Sequence, residues 1–410
     1  MTAASSIAVA DGASAEAGAL SVEGHDAVEH ALRQSWQRGT LPHALLFSGP
    51  MGIGKASMAY RLAQHLLTHD APAAAQGTAA AEDESGSLFD ALPLATDTHH
   101  AQDTPDDTDA NTAALAENAE DAATGFTLDP QHPALARIRS GSHSDFMVIR
   151  PGATKSSRDI SVEQIRKIKS FLALTPAESS CRVVMVDPAD SMNHNASKAL
   201  LKMLEEPPAH AYLILVSHHA GKLLPTLRSR CHAIRFSPLD AQAYHRIMDV
   251  HVPDMDAQTA AALCQLSDGS PGQALLLHQH DALAHYERVC ALTLQAPDVP
   301  VAALYGWAES TARAPSRDQV REHWHTVHWV LLTWLRRLIA PSVGAVPAAP
   351  IVMREAEAHQ HLLQIRTLDY WLTIWDKTQQ LLQDTAAVHL DPAQVLTSIG
   401  FGITAQGMDV

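Results

Sequence analysis

A glycine-rich segment that runs into a lysine offers the clearest chemistry in this chain. Residues 48–55 read Ser-Gly-Pro-Met-Gly-Ile-Gly-Lys and follow a short apolar run. Gly49, Gly52 and Gly54 allow the backbone to turn with its N–H groups pointing inward, and Lys55 adds a mobile positive charge. A helix beginning at Lys55 would add the positive end of its dipole. The segment therefore predicts a P-loop, a cradle for phosphate groups.

The hydroxyl that usually completes a P-loop is missing from its expected position. A Ser or Thr normally follows the lysine because its hydroxyl holds Mg²⁺, whereas Ala56 follows Lys55 here. The next hydroxyl belongs to Ser57, which is turned by about 100° round the helix from Ala56. We therefore expect Ser57 not to replace the metal ligand directly, and we expect the loop to bind ATP or ADP weakly or not at all.

A second candidate group ends an apolar run at 182–187, Arg-Val-Val-Met-Val-Asp. Ligands in open α/β sheets bind at the carboxyl ends of strands, so Asp187 is predicted to be the carboxylate on the Mg²⁺ side. In a hydrolysing enzyme of this type a glutamate normally follows and orients the attacking water, but Pro188 stands there. Asp187 is also compatible with a strand-end turn or a helix cap. Both interpretations stay open.

The elements that must position these residues alternate between strand and helix up to Phe236 and are helical afterwards. Apolar runs at 45–47, 182–187 and 212–216 predict strands of a parallel sheet with flanking helices. The predicted fold class is therefore an α/β P-loop domain followed by a small helical lid and an all-α domain. The predicted boundaries are a disordered tail at 1–20, the P-loop domain at 21–237, the lid at 238–290 and the all-α domain at 291–410.

An acidic insertion interrupts the P-loop domain at about 70–135. No Lys or Arg occurs between Leu62 and Ala136, and the 14 acidic residues from Asp70 to Asp129 account for most of the formal net charge of −16. This composition is typical of disorder. The best basic cluster elsewhere comprises five residues: Lys155, Arg158, Arg166, Lys167 and Lys169. We expect these five to be solvated charges, with any DNA contact shared with other chains.

Composition also narrows the compartment and the cofactors. No run approaches the length of a membrane span, and the first 20 residues contain neither Lys nor Arg, so no secretory signal or transit peptide is expected. Four cysteines are widely scattered, which indicates a reducing, cytoplasmic location and no disulfide framework. Cys231 has no Cys or His neighbour at metal spacing and is expected to be a small buried side chain. We expect no structural zinc.

Taken together, several motifs resemble the delta-prime subunits of the bacterial DNA polymerase III clamp loader, a branch of the AAA+ superfamily. The matching residues occur in the family's order over 40–275, apart from the insertion. They are 49–55, 159–166, 183–190, Met192-Asn193, 199–208, Ser229-Arg230-Cys231 and 268–272. Delta-prime subunits commonly carry damaged ATPase motifs, and Ala56 and Pro188 fit that pattern.

The resemblance implies a stator that helps to load the sliding clamp on primed DNA. Its expected partners are the gamma/tau and delta subunits, the clamp and, through the assembled complex, primer–template DNA. It also implies that Arg230 is an arginine finger presented to ATP in a neighbouring subunit. A lone arginine could instead pair with a local carboxylate or carbonyl. Ser217 occupies the position of a phosphate sensor and is equally compatible with a strand-end cap, whereas Gln273 stands where active relatives carry a second sensor arginine.

Two other functions remain open on the sequence. One is an active gamma/tau-like motor ATPase, which Ala56, Pro188 and Gln273 each disfavour. The other is a P-loop kinase, which should show an acceptor-binding Asp or Arg set and an arginine-rich lid. The sequence shows neither of these features.

Overall fold

The computed structural model describes residues 23–70, 126, 128–129, 131–152, 159–315, 319–344, 349–388 and 390–404. The expected tail at 1–20 lies outside the described residues. So do residues 71–125, which are most of the acidic insertion, and Lys155 and Arg158 of the basic cluster. Contacts divide the chain into two compact units, Met1–Ala243 and Tyr244–Val410.

The first unit is an α/β sandwich built on five parallel strands in the order β2-β3-β4-β1-β5. Its strands are β1 (Ala44–Ser48), β2 (Phe146–Ile149), β3 (Arg182–Val186), β4 (Ala211–Ser217) and β5 (His232–Arg235). Its helices are α1 (Asp26–Gln37), α2 (Lys55–Thr68), α3 (Pro133–Arg139), α4 (Val162–Leu172), α5 (His194–Glu205) and α6 (Pro225–Arg228). The predicted parallel sheet with flanking helices is confirmed.

The sheet is buried on both faces, which explains why its strands are continuous apolar runs. Along β3, Val183 and Met185 pack into the core on one face, while Val184 and Val186 pack into the core on the other. The first core also contains residues of α1, α2 and α3, and the second contains residues of α4 and α5. Alternation of period two along each strand thus fills both layers.

Helix α5 begins earlier than its sequence suggests. Apolar residues at spacings of three and four predict a helix at 196–206 with Asn195 as its cap and Pro207-Pro208 as its stop. The N-cap in the structure is instead Asn193, whose side chain accepts the N–H of Ala196 at 2.9 Å. A bridge between Ile160 and Met192 fixes the chain just before this cap. The expected stop is borne out, because α5 ends at Glu205, just before the proline pair at 207–208.

The acidic insertion ends before its predicted boundary at about 135. Phe126 is 5% exposed, and its backbone N–H donates to the Glu29 carboxylate at 2.6 Å. Helix α3 then starts at Pro133, with Ala134 and Leu135 buried. Phe126 and the first residues of α3 are apolar enough to join the core. The composition of 70–135, averaged over the whole segment, did not distinguish them from the acidic residues before them.

The described part of the second unit consists of helices. They are α7 (Ala241–His251, which starts just inside the first unit), α8 (Ala257–Leu266), α9 (Pro271–Gln279), α10 (Ala282–Thr293), α11 (Val301–Ala312), α12 (Val320–Ile339), α13 (Glu355–Ile365), α14 (Leu368–Val388) and α15 (Pro392–Ile403). The finer division between lid and all-α domain stays a prediction. Across the described ranges, no helix combines the length and apolarity needed to cross a bilayer.

Candidate functional site

The P-loop, Asp187 and Ser217 lie at the same edge of the sheet. In the parallel register Ser48 of β1 pairs with Ser217 of β4, and Val186 of β3 pairs with Leu215 of β4. The carboxyl ends of these three strands therefore lie side by side, and open α/β sheets bind ligands at this end of their strands. The structure brings together the residues that the sequence predicted for a nucleotide site.

Glycine is required where the P-loop leaves β1. Gly49 has φ 149°, and a Cβ atom at this position would lie 2.3 Å from the carbonyl oxygen of Phe236. Gly52 and Gly54 also have positive φ, at 79° and 96°. Side chains are strongly disfavoured at such angles, so the loop has the shape that its glycine spacing predicted.

The Lys55 ammonium is turned into its own loop. Its Nζ donates to the carbonyl of Gly49 at 2.8 Å and to the carbonyl of Pro50, and the residue is only 2% exposed. Burial lowers the pKa of Lys55 to about 8, although the negative charges of Asp187 and Asp190 oppose this change. The group expected to reach for phosphate thus satisfies two loop carbonyls instead.

A histidine that the sequence did not single out packs against the P-loop. The His25 Nε2 atom donates to the carbonyl of Ile53 at 2.7 Å, and its ring meets the Phe236 ring edge-on with centroids 4.9 Å apart. Burial lowers the pKa of His25, which favours the neutral ring. His25 is 28 residues away from Ile53 in the chain and belongs to no recognisable motif, so local sequence reasoning had no signal for it.

Asp190 is a second carboxylate at this edge that the motif analysis missed. It accepts the backbone N–H of His218 at 2.9 Å, directly after β4. Burial favours its neutral form, but the hydrogen bond from His218 and other nearby donors outweigh burial and lower the pKa of Asp190. The available signals were its place in the matching segment 183–190 and its position three residues after Asp187. The buried Ser217 lies beside it at the end of β4.

The residues after Lys55 do not fit the usual Mg²⁺ site. Ala56 packs partly buried against the apolar core and offers no oxygen, and Ser57 is 8% exposed on the next position of α2. Asp187 remains the one predicted carboxylate at the strand end. Among the described residues no group of three or more His, Cys, Asp or Glu side chains could hold a metal ion.

Arg230 lies at the amino ends of the parallel strands, whereas the P-loop lies at their carboxyl ends. It follows α6 and precedes β5 by two residues, so it sits at the amino end of that strand. Four residues of β5 span about 13 Å. The Arg230 side chain is 38% exposed; its Nη2 lies 3.0 Å from Glu205 Oε1 and its Nη1 donates to the Thr226 carbonyl at 3.0 Å. Within the isolated chain it therefore has local partners, as the alternative interpretation of a lone arginine anticipated.

Cys231, next to Arg230, is a buried thiol. It is 9% exposed, and burial raises its pKa to about 12. A thiol of this pKa is protonated at neutral pH and unreactive as a nucleophile. The prediction of a small buried side chain is confirmed.

Comparison with known proteins agrees with the resemblance seen in the motifs. Residues 102–240 match the family model described as DNA polymerase III, delta subunit. A DNA polymerase III subunit delta′ from Pseudomonas aeruginosa is 38% identical over 142 residues, covering 34% of this chain and 42% of the relative. The subunit delta′ from Escherichia coli is 30% identical over 200 residues, covering 49% of this chain and 57% of the relative.

A solved structure gives a weaker comparison. A DNA polymerase III gamma subunit-related protein from Thermotoga maritima aligns at 18% identity with a TM-score of 0.30, covering 68% of this chain and 92% of that chain. This score is too low to bear on the fold, which rests on the strand pairing described above. The chain spans about half the length of the curated relatives it matches. By sequence, it is similar to the delta′ subunits of DNA polymerase III.

Proposed function

We propose that this chain is a clamp-loader stator, a delta′ subunit that helps to load the sliding clamp on primed DNA and completes a neighbour's ATP site with Arg230. The observation that carries the proposal is the placement of Arg230. It stands at the amino edge of the sheet, about 13 Å of strand away from the chain's own P-loop. An exposed guanidinium there cannot serve the phosphate loop of its own chain, but it can serve a second chain packed against that edge.

The chemistry suits a guanidinium in that role. Negative charge spreads over the oxygens of a phosphoryl group during transfer, and a planar fork of N–H donors stabilises it. Arg230 donates one N–H to Thr226 and pairs through another nitrogen with Glu205, which leaves donors of the five-donor group for a phosphate.

The chain's own loop supports a stator more than a motor. Ala56 supplies no metal ligand, and Pro188 replaces the glutamate that would orient water. We propose that the loop binds ATP or ADP weakly or not at all and turns over none. Gln273 also favours a stator, because it stands where active relatives carry a second sensor arginine. The residue is buried, and its backbone N–H donates to Ser270 Oγ.

We propose that primer–template DNA is contacted only in the assembled complex, where the outer faces of α4 and α5, which pack against each other, would share that contact with other subunits. Four of the chain's eight lysines lie exposed on these two helices. The exposed basic residues are Arg166, Lys167 and Lys169 on α4 and Lys198 and Lys202 on α5. Clustered Lys and Arg side chains bind phosphates without reading sequence, which is what a loader of primed sites requires.

The test is ATP turnover by the chain alone and after reconstitution with gamma/tau and delta subunits, sliding clamp and primed DNA. We expect no nucleotide binding at micromolar concentration and no turnover by the chain alone, and stimulated turnover in the assembly. Arg230→Ala should reduce the assembled rate about tenfold or more, because removal of one transition-state arginine has effects of that size or larger. The matched control is Arg228→Ala, which removes an exposed charge two residues away.

Three outcomes would contradict the proposal. An assembled rate that Arg230→Ala leaves unchanged would exclude the finger. Equal losses in Arg230→Ala and Arg228→Ala would indicate only a local charge effect. Substantial turnover by the isolated chain would identify a motor ATPase of the gamma/tau kind instead.

A further inference from the structure

The Arg230 guanidinium is held from two directions by two different elements. Glu205, the last residue of α5, places Oε1 3.0 Å from Nη2, and the Thr226 carbonyl in α6 accepts from Nη1 at 3.0 Å. Arginine has a long side chain with several rotatable bonds, so two fixed contacts restrict it to a small part of its conformational range. These contacts define where the guanidinium rests.

The ion pair does not hide the guanidinium from a partner. The side chains of Arg230 and Glu205 are 38% and 50% exposed. The two contacts engage one nitrogen each, so the remaining N–H groups stay available for a ligand. Glu205 can therefore keep its contact while Arg230 binds a phosphate.

An acidic side chain at the position of Glu205, the last residue of α5, does not stabilise the helix. The carboxyl end of a helix carries partial negative charge, so an acidic side chain in the last turn is unfavourable for the helix. Glu206 follows at the C-cap, also exposed, without a described ion pair. Of these two adjacent acids, Glu205 is the one whose carboxylate reaches Arg230.

We propose that Glu205 is a positioning residue for Arg230, setting the guanidinium in the pose from which it meets the phosphates of a neighbouring subunit's ATP. The inference rests on the proposed function. Glu205 touches no phosphate; it acts by ordering Arg230 before the neighbour's site forms, so that less side-chain freedom is lost when the phosphate binds. The carboxylate charge and its reach are both needed for this role.

The experiment compares steady-state ATP turnover of the assembled loader containing the wild-type chain, Glu205→Gln, Glu206→Gln, Arg230→Ala and the double variant Glu205→Gln/Arg230→Ala. Glutamine keeps the shape of Glu205 and removes its charge. We expect Glu205→Gln to lower kcat about twofold to fivefold, the size that loss of a partly exposed ion pair permits, with KM for ATP nearly unchanged. Glu206→Gln should match the wild type.

The double variant separates positioning from a general structural effect. If Glu205 acts only through Arg230, removing its charge has no further effect once Arg230 is alanine. The wild-type advantage over Glu205→Gln should also shrink as salt is raised, because the pair is partly exposed. The midpoint of urea unfolding of the isolated variants should stay at the wild-type value.

The failures of the two proposals can be told apart. Arg230→Ala with normal turnover would overturn the finger, and the role of Glu205 with it. A large loss in Arg230→Ala with wild-type or faster turnover in Glu205→Gln would overturn the positioning role alone. A loss in Glu205→Gln that persists undiminished in the Arg230→Ala background would also overturn it, because Glu205 would then act by another route.

Discussion

At the scale of single residues, the P-loop has the backbone shape that its glycines predict, and its lysine hydrogen-bonds to the loop itself. The Lys55 ammonium is buried against the carbonyls of Gly49 and Pro50, and burial lowers its pKa to about 8. A charged amine in such a place costs free energy of folding at neutral pH, because the same group is hydrated in the unfolded chain. Retention of Lys55 thus has a measurable consequence for stability.

We expect Lys55→Met to stabilise the isolated chain at pH 7 by about 1–2 kcal/mol, less than the full pKa shift allows because two carbonyls lose their donor. Between pH 8 and 10.5 the unfolded wild type holds a proton that the folded protein lacks, so wild-type stability rises with pH in that window. The advantage of the variant should therefore shrink from pH 8 to 10.5. Urea unfolding of both proteins at several pH values measures it, with the exposed Lys222→Met as control.

A pH-independent difference in the free energy of unfolding between Lys55→Met and the wild type would show that the lowered pKa of Lys55 has no part in the effect.

The glycines and Lys55 were predictable because the P-loop is a local pattern of spacing. His25 and Asp190 were not, since each reaches the site through a contact that only the fold creates, His25 with the Ile53 carbonyl and Asp190 with the His218 N–H.

At the scale of elements, strand positions followed from the sequence more closely than helix starts. The run predicted at 212–216 lies within β4, because a strand buried on both faces is marked by continuous apolar residues. The start of α5 depended on a choice between two asparagines, and the bridge between Ile160 and Met192 decided it for Asn193. Such a tertiary contact is invisible to local periodicity.

The flanks of the acidic insertion are anchored to the same pair of helices. The His65 ring of α2 lies 4.2 Å from the His69 ring and 4.8 Å from the Phe126 ring, centroid to centroid. The Glu29 carboxylate of α1 accepts the Phe126 N–H and pairs with Arg61 of α2, both at 2.6 Å. The chain therefore returns at Phe126 close to where it left at His69.

Because the two flanks meet, we expect replacement of residues 71–125 by a Gly/Ser linker of about eight residues to preserve the fold. A shorter loop loses less entropy when its ends are brought together in the folded chain, so the free energy of unfolding should rise by about 1–2 kcal/mol. Phe126→Ala in the full chain should instead cost about 3 kcal/mol, because it empties a buried aromatic site. Urea unfolding of the three proteins measures both effects. A loss of stability on linker replacement would mean that 71–125 contributes to the core.

At the scale of the whole molecule, partly buried neutral histidines couple stability to pH. In the second unit, burial is the main cause that lowers the pKa of His285, His328 and His359 to about 4. The neighbouring His323 and Arg288 side chains lower the pKa of His285 further, and Asp281 only partly opposes them. In the first unit the pKa of His65 falls to about 3, again mainly through burial.

These shifts make the protein sensitive to acid over a defined window. Between pH 6.5 and about 4 the unfolded chain binds protons at these rings and the folded chain does not, so stability falls as pH falls through that range. Each of the three histidines of the second unit should contribute a loss of up to about 2 kcal/mol between pH 7.5 and pH 5.

Tryptophan fluorescence during urea unfolding is a suitable measurement, because six of the seven tryptophans follow residue 300 and therefore report on the second unit. We expect the free energy of unfolding at pH 5 to lie several kcal/mol below its value at pH 7.5. His359→Met removes one partly buried titrating ring while keeping an apolar side chain against Trp334, and should reduce that difference by about a third. The exposed His278→Met should leave it unchanged. Equal pH dependence in both variants and the wild type would show that the buried rings keep ordinary protonation in the folded chain.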